Sequence, residues 1–520
     1  MGDSLKDLAR ATTRSSLILL LGQVSSTAIL AVGMLLVARL LGPINFGSYS
    51  KAQSVVSTAS ILMNLGVNQA MVYHLARLRH QGEKGMIKVY LETGAAISLG
   101  VSTVFALALL LSSGFIARNL YHEPQQEVYL KVFSLSLVGQ GLSLLAQGVT
   151  VGFERMHLRS LLQVSYSLFK SLVSPLLVFM GLGTIGAVVG HTSPILLSGA
   201  LGALFVVMVY REMGGVARPL SHVEAARSIL GYGFPLYLSN MMTSILPQIF
   251  TVFLASQVSN YHLGNYAVTL YFSVLLSFIT MPIATAVFPL FSKLEKEEKA
   301  LGFLYTNAVK YTTLLGYPII FAVLALSDEI VETIFQDKYP LAGGYLRLFI
   351  LGFLTVGLGS VCNGSFLNGQ GRSEVNFRST LAKFLVSIPL GYLGVKLFGV
   401  EGLLVVFIVG SLVNTGINIY YIKRDFGFTP DTRFLAKVSG VSLASCLVAY
   451  TVVKSVVLTP LVEMVAGGIA FAVCYLVGVA FSKALTPVDL RYLEELSASF
   501  GPLSPFFKKI LRIIWILRRN

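Results

Sequence analysis

Charged residues are scarce in this 520-residue chain: they make up 12% of it, whereas hydrophobic residues make up 55% and the mean hydropathy is +0.75. Soluble domains carry about 25% charged residues, so a soluble fold is excluded. The apolar residues form continuous runs that suit spanning helices of about 20 residues. Barrel strands would instead alternate apolar and polar positions. The sequence therefore predicts an all-α polytopic membrane protein.

Cysteine is equally rare. The three cysteines, Cys362, Cys446 and Cys474, lie in apolar runs and show neither metal-ligand spacing nor the framework of an extracellular disulfide domain. The chain also lacks a phosphate-binding Gly-Lys-Ser/Thr loop, so we expect no ATP hydrolysis. The expectation is a protein without metal or cofactor.

No Asp or Glu lies deep inside an apolar run. Glu92, Glu154 and Glu463 lie at the ends of runs. A cation-coupled multidrug antiporter is expected to bind Na⁺ or H⁺ on a buried carboxylate, so this function is disfavoured but stays as the alternative. A membrane glycosyltransferase or sugar polymerase would need acids in a large external loop. The acidic external cluster lies on a short connection and consists of Asp328, Glu329, Glu332 and Asp337. We therefore expect no enzyme.

Fourteen apolar segments can be marked. They are roughly 17–41, 46–74, 88–115, 128–153, 159–180, 184–209, 232–255, 265–291, 306–326, 346–367, 379–398, 400–422, 434–456 and 461–481. Taken as spans, they place 30 of the 39 Lys and Arg residues on the same side as the N-terminus. The positive-inside rule makes this side cytoplasmic and both termini with it. Topology and anionic lipid headgroups account for the net charge of +15, so we expect a plasma-membrane protein that does not bind nucleic acid.

The chain contains signs of an internal repeat. Gly47-Ser48-Tyr49 and Gly264-Asn265-Tyr266 are related by an offset of 217 residues, and each leads into an apolar helix. Parallel repeats are a transporter architecture. The predicted organisation is an N-terminal six-helix lobe, a C-terminal six-helix lobe, two additional transmembrane helices and a cytoplasmic basic amphipathic tail, at 1–220, 221–425, 426–483 and 484–520.

The tail has its own local signals. Thr486-Pro487-Val488-Asp489 has the form of a helix start, with a cap residue, proline in the first turn and an acid at the third position. Apolar residues from Phe507 to Leu517 then recur at helical spacing among lysines and arginines. This pattern predicts a basic helix that lies on the inner leaflet.

Six stretches resemble, in order, the motifs of the polysaccharide transporter family, which includes the O-antigen (Wzx-type) oligosaccharide flippases of the multidrug/oligosaccharidyl-lipid/polysaccharide (MOP) flippase superfamily. They are Ala38–Pro43, Phe46–Tyr49, Gly152–Arg155, Tyr232–Leu236, Phe288–Leu294 and Ile334–Tyr339. The resemblance covers about residues 10 to 425. It implies two pseudo-symmetric six-helix lobes around a central cavity, and flipping of a polyprenyl-(pyro)phosphate-linked oligosaccharide from the inner to the outer leaflet by alternating access. Members often carry an Asp in the seventh span where this chain has Gln248, which cannot ionise.

Seven cations lie inside spans or at their ends. They are Lys170, Arg39, Lys383, Lys51, Lys310, Arg347 and Arg14. Lys170 is about halfway along the fifth span, where a charge costs about 2.5–3.5 kcal/mol and normally faces a cavity. Lysine and arginine offset the lost hydration of a phosphate, so these residues are the predicted phosphate-binding set. Snorkelling to an interface is the alternative for all except Lys170.

Amides also recur in the spans, and an amide in hydrocarbon needs a partner. The predicted sugar-contacting residues are Gln23, Asn68, Gln147, Asn240, Gln248 and Asn363. The alternative is that these amides tie helices together. The expected partners are the lipid-linked oligosaccharide, membrane lipids and glycan-assembly enzymes.

Overall fold

The computed structural model describes the backbone of residues 2–214, 221–294, 298–455, 458–497 and a few positions between 508 and 518, and most side chains from Gly22 onward. Regular secondary structure in these ranges is entirely helical, which confirms the all-α class. The α-helices are α1 (Gly2–Leu62), α2 (Val67–Gln81), α3 (Lys84–Phe115), α4 (Gln126–Gly152), α5 (Met156–Leu177), α6 (Gly183–Glu212), α7 (His222–Gln257), α8 (Asn260–Tyr271), α9 (Ser273–Lys293), α10 (Glu298–Phe335), α11 (Ala342–Leu351), α12 (Asn363–Gly369), α13 (Ser373–Phe426), α14 (Thr432–Ser455), α15 (Pro460–Phe481) and α16 (Pro487–Ser497).

Among the described residues, eight helical segments are long and apolar enough to cross a membrane, or up to ten if two bent helix pairs each form one span. The protein is therefore a multi-pass membrane protein. Helix α1 has 61 residues, about 90 Å at a rise of 1.5 Å per residue, which is three times the ~30 Å hydrocarbon core. A single crossing cannot use that length.

The longest helical elements are interrupted at glycines with positive φ. Helix α1 is broken at Gly42 (φ 71°, ψ 172°) and α13 at Gly399 (φ 59°, ψ −129°), and Gly181 and Gly183 separate α5 from α6. Glycine adopts these backbone angles because it has no Cβ. All three interruptions coincide with connections predicted between consecutive spans, although the total of fourteen spans stays a prediction.

The chain packs as two compact units: residues 1–274 with 391–403, and residues 275–390 with 404–520. In the first unit, α1 and α5 approach closely through small residues. A Cβ on Gly22 would lie 2.8 Å from Ser160 Oγ, and a Cβ on Gly33 would collide with Ser171. Both steps are eleven residues, about three turns, so this part of α1 and α5 run in parallel. The Ser171 hydroxyl donates to the carbonyl of Ile29 at 2.8 Å.

In the second unit, α16 begins where the sequence predicts. The Thr486 backbone N–H donates to Asp489 Oδ2 at 2.6 Å, and the Asp489 N–H donates to Thr486 Oγ1 at 3.2 Å. This reciprocal pair is a capping box, and it confirms the predicted helix start. The predicted interfacial helix of the tail depends on Phe507, Ile510 and Leu517, which lie outside the described residues.

Candidate functional site

The two segments of the predicted repeat contact each other within the first unit. A Cβ on Gly47 would collide with the carbonyl oxygen of Asn260, and a Cβ on Gly264 would collide with the carbonyl oxygen of Pro43. The offset of 217 that relates Gly47 to Gly264 also relates Pro43 to Asn260. Each segment thus presents the same pair of positions to the other, as in a contact around a two-fold axis. This reciprocity supports the predicted repeat.

Glu123 holds this contact together from the segment between α3 and α4. Its carboxylate accepts hydrogen bonds from Lys51 Nζ at 2.9 Å, from Asn260 Nδ2 at 2.9 and 3.0 Å, and from Gln126 Nε2 at 3.1 Å. Burial alone would raise the pKa of Glu123, but the hydrogen bonds from Asn260, Lys51 and Gln126 outweigh it and hold the pKa below its usual value. We call these four residues the Glu123 cluster. Lys51, only 3% exposed, is therefore neutralised within the protein.

Lys170 has a different environment. It lies on α5 and is 6% exposed, and its ammonium is 5.7 Å from the centre of the Tyr166 ring. No carboxylate among the described residues lies within ion-pair distance of it. On α6, His191 lies within electrostatic range of this ammonium and shares a 2.9 Å hydrogen bond with the Tyr49 hydroxyl. The first unit therefore contains a buried cation with an aromatic neighbour and no described counter-ion.

Lys383 is the comparable cation of the second unit. It lies half-buried on α13, with its ammonium 6.0 Å from the centre of the Phe407 ring. Within the part of the chain that the structure describes, it also has no carboxylate partner.

The other predicted cations are mostly engaged. Lys310 donates to Asp489 at 2.5 Å, and burial of Asp489 is outweighed by the hydrogen bonds from Lys310 and from Thr486 in the capping box, which keep the pKa of Asp489 below its usual value. Arg347 donates to Ser327 Oγ at 2.8 Å and pairs with Asp328. These pairs make both residues, like Lys51, weaker candidates for a substrate phosphate.

The last two predicted cations, Arg39 and Arg14, cannot be assigned to either the paired or the unpaired group. Arg39 lies half-buried on α1. Arg14 belongs to the first turns of α1, but its side chain lies outside the described residues.

Two of the six predicted sugar-contacting amides bridge protein groups. Gln163 Nε2 donates to Gln23 Oε1 at 2.6 Å, which links α5 to α1. Tyr305 donates to Asn363 Oδ1 at 2.9 Å in the core of the second unit. These contacts favour the alternative, in which the amides tie helices together.

The remaining four amides all lie in the first unit. Asn68 lines an internal pocket with Asn64 and Ser98. Gln147 and Gln248 are half-buried on α4 and α7. Asn240 is exposed on α7. For all four, contact with sugar stays a prediction.

Two carboxylates neutralise lysines of the predicted phosphate-binding set, and neither can be identified as functional from the sequence. Glu123 follows the third span in an ordinary connection, and its contact with Lys51 joins positions 72 residues apart. The sequence predicts Asp489 only as part of a helix start, although the carboxylate also neutralises Lys310 across 179 residues. Such pairs leave no local pattern, because the partners meet only after the helices pack.

Comparison with known proteins assigns the family. A family model described as polysaccharide biosynthesis protein matches residues 36–344. The lipopolysaccharide biosynthesis protein WzxC of Escherichia coli is 21% identical over 402 residues, which cover 76% of this chain and 77% of WzxC. The probable low-salt glycan biosynthesis flippase Agl15 of Haloferax volcanii is 20% identical over 79% of this chain and 83% of its own. The structure of the lipid II flippase MurJ in an inward closed conformation aligns with a TM-score of 0.67 and 14% identity, over 88% of this chain and 99% of MurJ.

The MurJ alignment concerns the fold alone, whereas the family model matches more than half of the chain in sequence. The chain therefore belongs to the polysaccharide biosynthesis protein family, as the resemblance of its motifs to the polysaccharide transporters implies.

Proposed function

We propose that this protein is a flippase that moves a polyprenyl-(pyro)phosphate-linked oligosaccharide from the inner to the outer leaflet by alternating access. Family membership and the names of the relatives support this substrate class. The observation that carries the proposal is Lys170: a buried cation on α5 without a carboxylate partner among the described residues.

Lys170 would act on the charged part of the substrate. A phosphate that enters a membrane protein loses hydration, and an ammonium group returns part of that energy through charge-assisted hydrogen bonds. An unpaired ammonium in hydrocarbon is itself costly, so the phosphate and the lysine stabilise each other. The prenyl tail needs no such partner and stays in lipid.

The sugars would bind to amides that do not bridge helices among the described residues. Asn68, Gln147 and Gln248 are the strongest of the predicted set, because none of their side chains forms a described hydrogen bond that ties two helices together. Amides both donate and accept hydrogen bonds, which suits the hydroxyl groups of many sugars.

The topology that accompanies this function has fourteen spans and both termini in the cytoplasm. Two six-helix lobes, 1–220 and 221–425, precede two further spans in 426–483 and a basic tail in 484–520. The protein would perform transport without catalysis. Membrane lipids and the enzymes that assemble the glycan would be its further partners.

The test is transport by purified protein in proteoliposomes that contain a fluorescent polyprenyl-diphosphate-linked sugar. Wild-type protein should flip this lipid, and Lys170→Ala should abolish flipping while it leaves the yield of folded protein unchanged. Lys396→Gln is the matched control, because Lys396 is an exposed lysine of the membrane helix α13. Normal flipping by Lys170→Ala would remove Lys170 from the mechanism. Drug efflux that collapses with a Na⁺ or H⁺ gradient, without lipid flipping, would identify an antiporter instead.

A further inference from the structure

Lys170 and Lys383 belong to two copies of one short motif. The first copy is Lys170-Ser171-Leu172-Val173-Ser174, and the second is Lys383-Phe384-Leu385-Val386-Ser387. They share the pattern Lys-x-Leu-Val-Ser at an offset of 213 residues, and a proline follows each at Pro175 and Pro389. One copy lies on the fifth predicted span of the first half, and the other lies on the fifth predicted span of the second half. The repeat therefore places two lysines at equivalent positions, and neither has a carboxylate partner among the described residues.

The packing around the two motifs is also equivalent. On the helix that follows the first motif, a Cβ on Gly190 would collide with Ser174. On the helical arm that follows the second, a Cβ on Gly410 would lie 2.5 Å from Ser387 Oγ and 3.4 Å from Lys383 Cγ. Each serine thus packs against a glycine of the next membrane segment, and in the second copy the lysine stem lies beside the same glycine.

Ser387 makes the second copy chemically distinctive. Its side chain is 1% exposed, and its hydroxyl has no hydrogen-bond partner among the described residues. Lys383 lies one turn earlier on the same face of the helix and has no described carboxylate partner. Buried polar groups are normally hydrogen-bonded. Two donors without an acceptor at one place form a receptor for an anion.

We propose that Lys383 and Ser387 form a second phosphate-binding station, the repeat-related counterpart of the Lys170 site, with one station in each packing unit. The two stations differ in the serine, because the Ser174 hydroxyl already donates to the carbonyl of Ala187 at 3.5 Å. Its ligand is the phosphate group of a polyprenyl phosphate, so the inference rests on the proposed flippase function. A substrate phosphate then meets two equivalent cations during transport, and the cost of its lost hydration is offset at both.

The experiment measures binding separately from transport. Purified full-length protein in detergent is titrated with undecaprenyl monophosphate, and native mass spectrometry counts the lipids bound per chain. Wild-type protein and the control Lys396→Gln should bind two, whereas Lys170→Gln and Lys383→Gln should each bind one. Loss of the charge-assisted hydrogen bonds should weaken the affected station at least ~10-fold, and Lys383→Arg should restore it.

Ser387→Ala separates binding from packing. The hydroxyl has no described partner, so its removal should leave the melting temperature unchanged while it weakens phosphate binding. A fall in melting temperature without any change in binding would assign Ser387 to packing and overturn its part of the station.

Three further outcomes would each contradict part of this proposal. If Lys383→Gln binds two lipids while Lys170→Gln binds one, the second station is wrong and the flippase function stands. If wild-type protein neither binds nor flips the lipid, the proposed function itself is wrong. Phosphatidylglycerol serves as a competitor with an ordinary lipid headgroup. If an equimolar amount of phosphatidylglycerol displaces undecaprenyl phosphate, the assignment to a polyprenyl phosphate is overturned.

Discussion

Lys51 and Lys170 are both buried lysines of the first unit, yet their surroundings are opposite. Lys51 pairs with Glu123 at 2.9 Å, whereas Lys170 has an aromatic ring beside it and no carboxylate among the described residues. Removal of one member of a buried ion pair costs about 3–5 kcal/mol, because the other charge stays buried without a partner. Removal of an unpaired buried charge takes away a cost. Burial alone therefore does not single out a candidate for substrate binding; in our proposal, the lack of a carboxylate partner among the described residues does.

The largest effect is expected on transport, from Lys170→Met. This change keeps the length of the side chain and removes its charge, so flipping should fall about 10- to 100-fold if the lost charge-assisted hydrogen bonds are worth 1.5–3 kcal/mol. The melting temperature should stay the same or rise, because a buried charge is lost. Flipping in proteoliposomes and thermal unfolding in detergent provide the two measurements. Unchanged flipping together with lower stability would reverse the assignment.

The same substitution at Lys51 should have the opposite effect on stability. Lys51→Met leaves Glu123 partly buried and without its cation, and we expect a loss of about 3 kcal/mol. Thermal unfolding compared with wild type measures this loss, and Lys51→Met/Glu123→Gln is the matched control, because it removes both charges and should recover part of the stability. Equal melting temperatures for Lys51→Met and Lys170→Met would erase the distinction between the two lysines.

The stabilisation by Glu123 should depend on pH. Its pKa in the folded protein lies below the usual value, which is about 4.3 for an unfolded chain. The stabilisation is therefore present above that value and is lost as the pH falls through the lower pKa of the folded state. Unfolding of wild type and Glu123→Gln should differ at pH 7, and the difference should shrink below about pH 4. A difference that does not change with pH would show that the Glu123 carboxylate is not the group responsible.

The smallest effect is expected from Lys131→Met, in the same unit. Lys131 is exposed and pairs with Glu127 one turn away on α4 at 2.7 Å. Exposed ion pairs contribute little, because water and salt screen them. Neither the melting temperature nor flipping should change measurably. A clear loss of melting temperature or of flipping would mean that an ion pair contributes to stability or transport even when it is exposed.

Several features of the fold were accessible from local sequence. The long apolar runs predict membrane helices. Glycines interrupt α1 and α13 and separate α5 from α6 at the points where spans are predicted to end, because glycine lacks a Cβ and tolerates positive φ. The capping residues Thr486 and Asp489 predict the start of α16. Each of these signals involves residues close together in the sequence. Such residues set the local backbone geometry, so these features can be predicted without knowing the packing.

The candidate site was less accessible. In the sequence, four lysines have similar apolar surroundings: Lys51, Lys170, Lys310 and Lys383. The sequence does not show which of them has a carboxylate nearby in the folded protein. Glu123 reaches Lys51 across 72 residues, and Asp489 reaches Lys310 across 179. Only packing decides such contacts.

Local sequence patterns identify this chain as a helical membrane protein and predict an internal repeat, because hydropathy, glycine positions and recurring motifs can be read along the chain. The tertiary structure decided which cations are neutralised. It paired Lys51 and Lys310 with carboxylates and left Lys170 and Lys383 without described ones. Charge-assisted hydrogen bonds have a short range, so a carboxylate neutralises a lysine only when folding brings the two groups within about 3 Å.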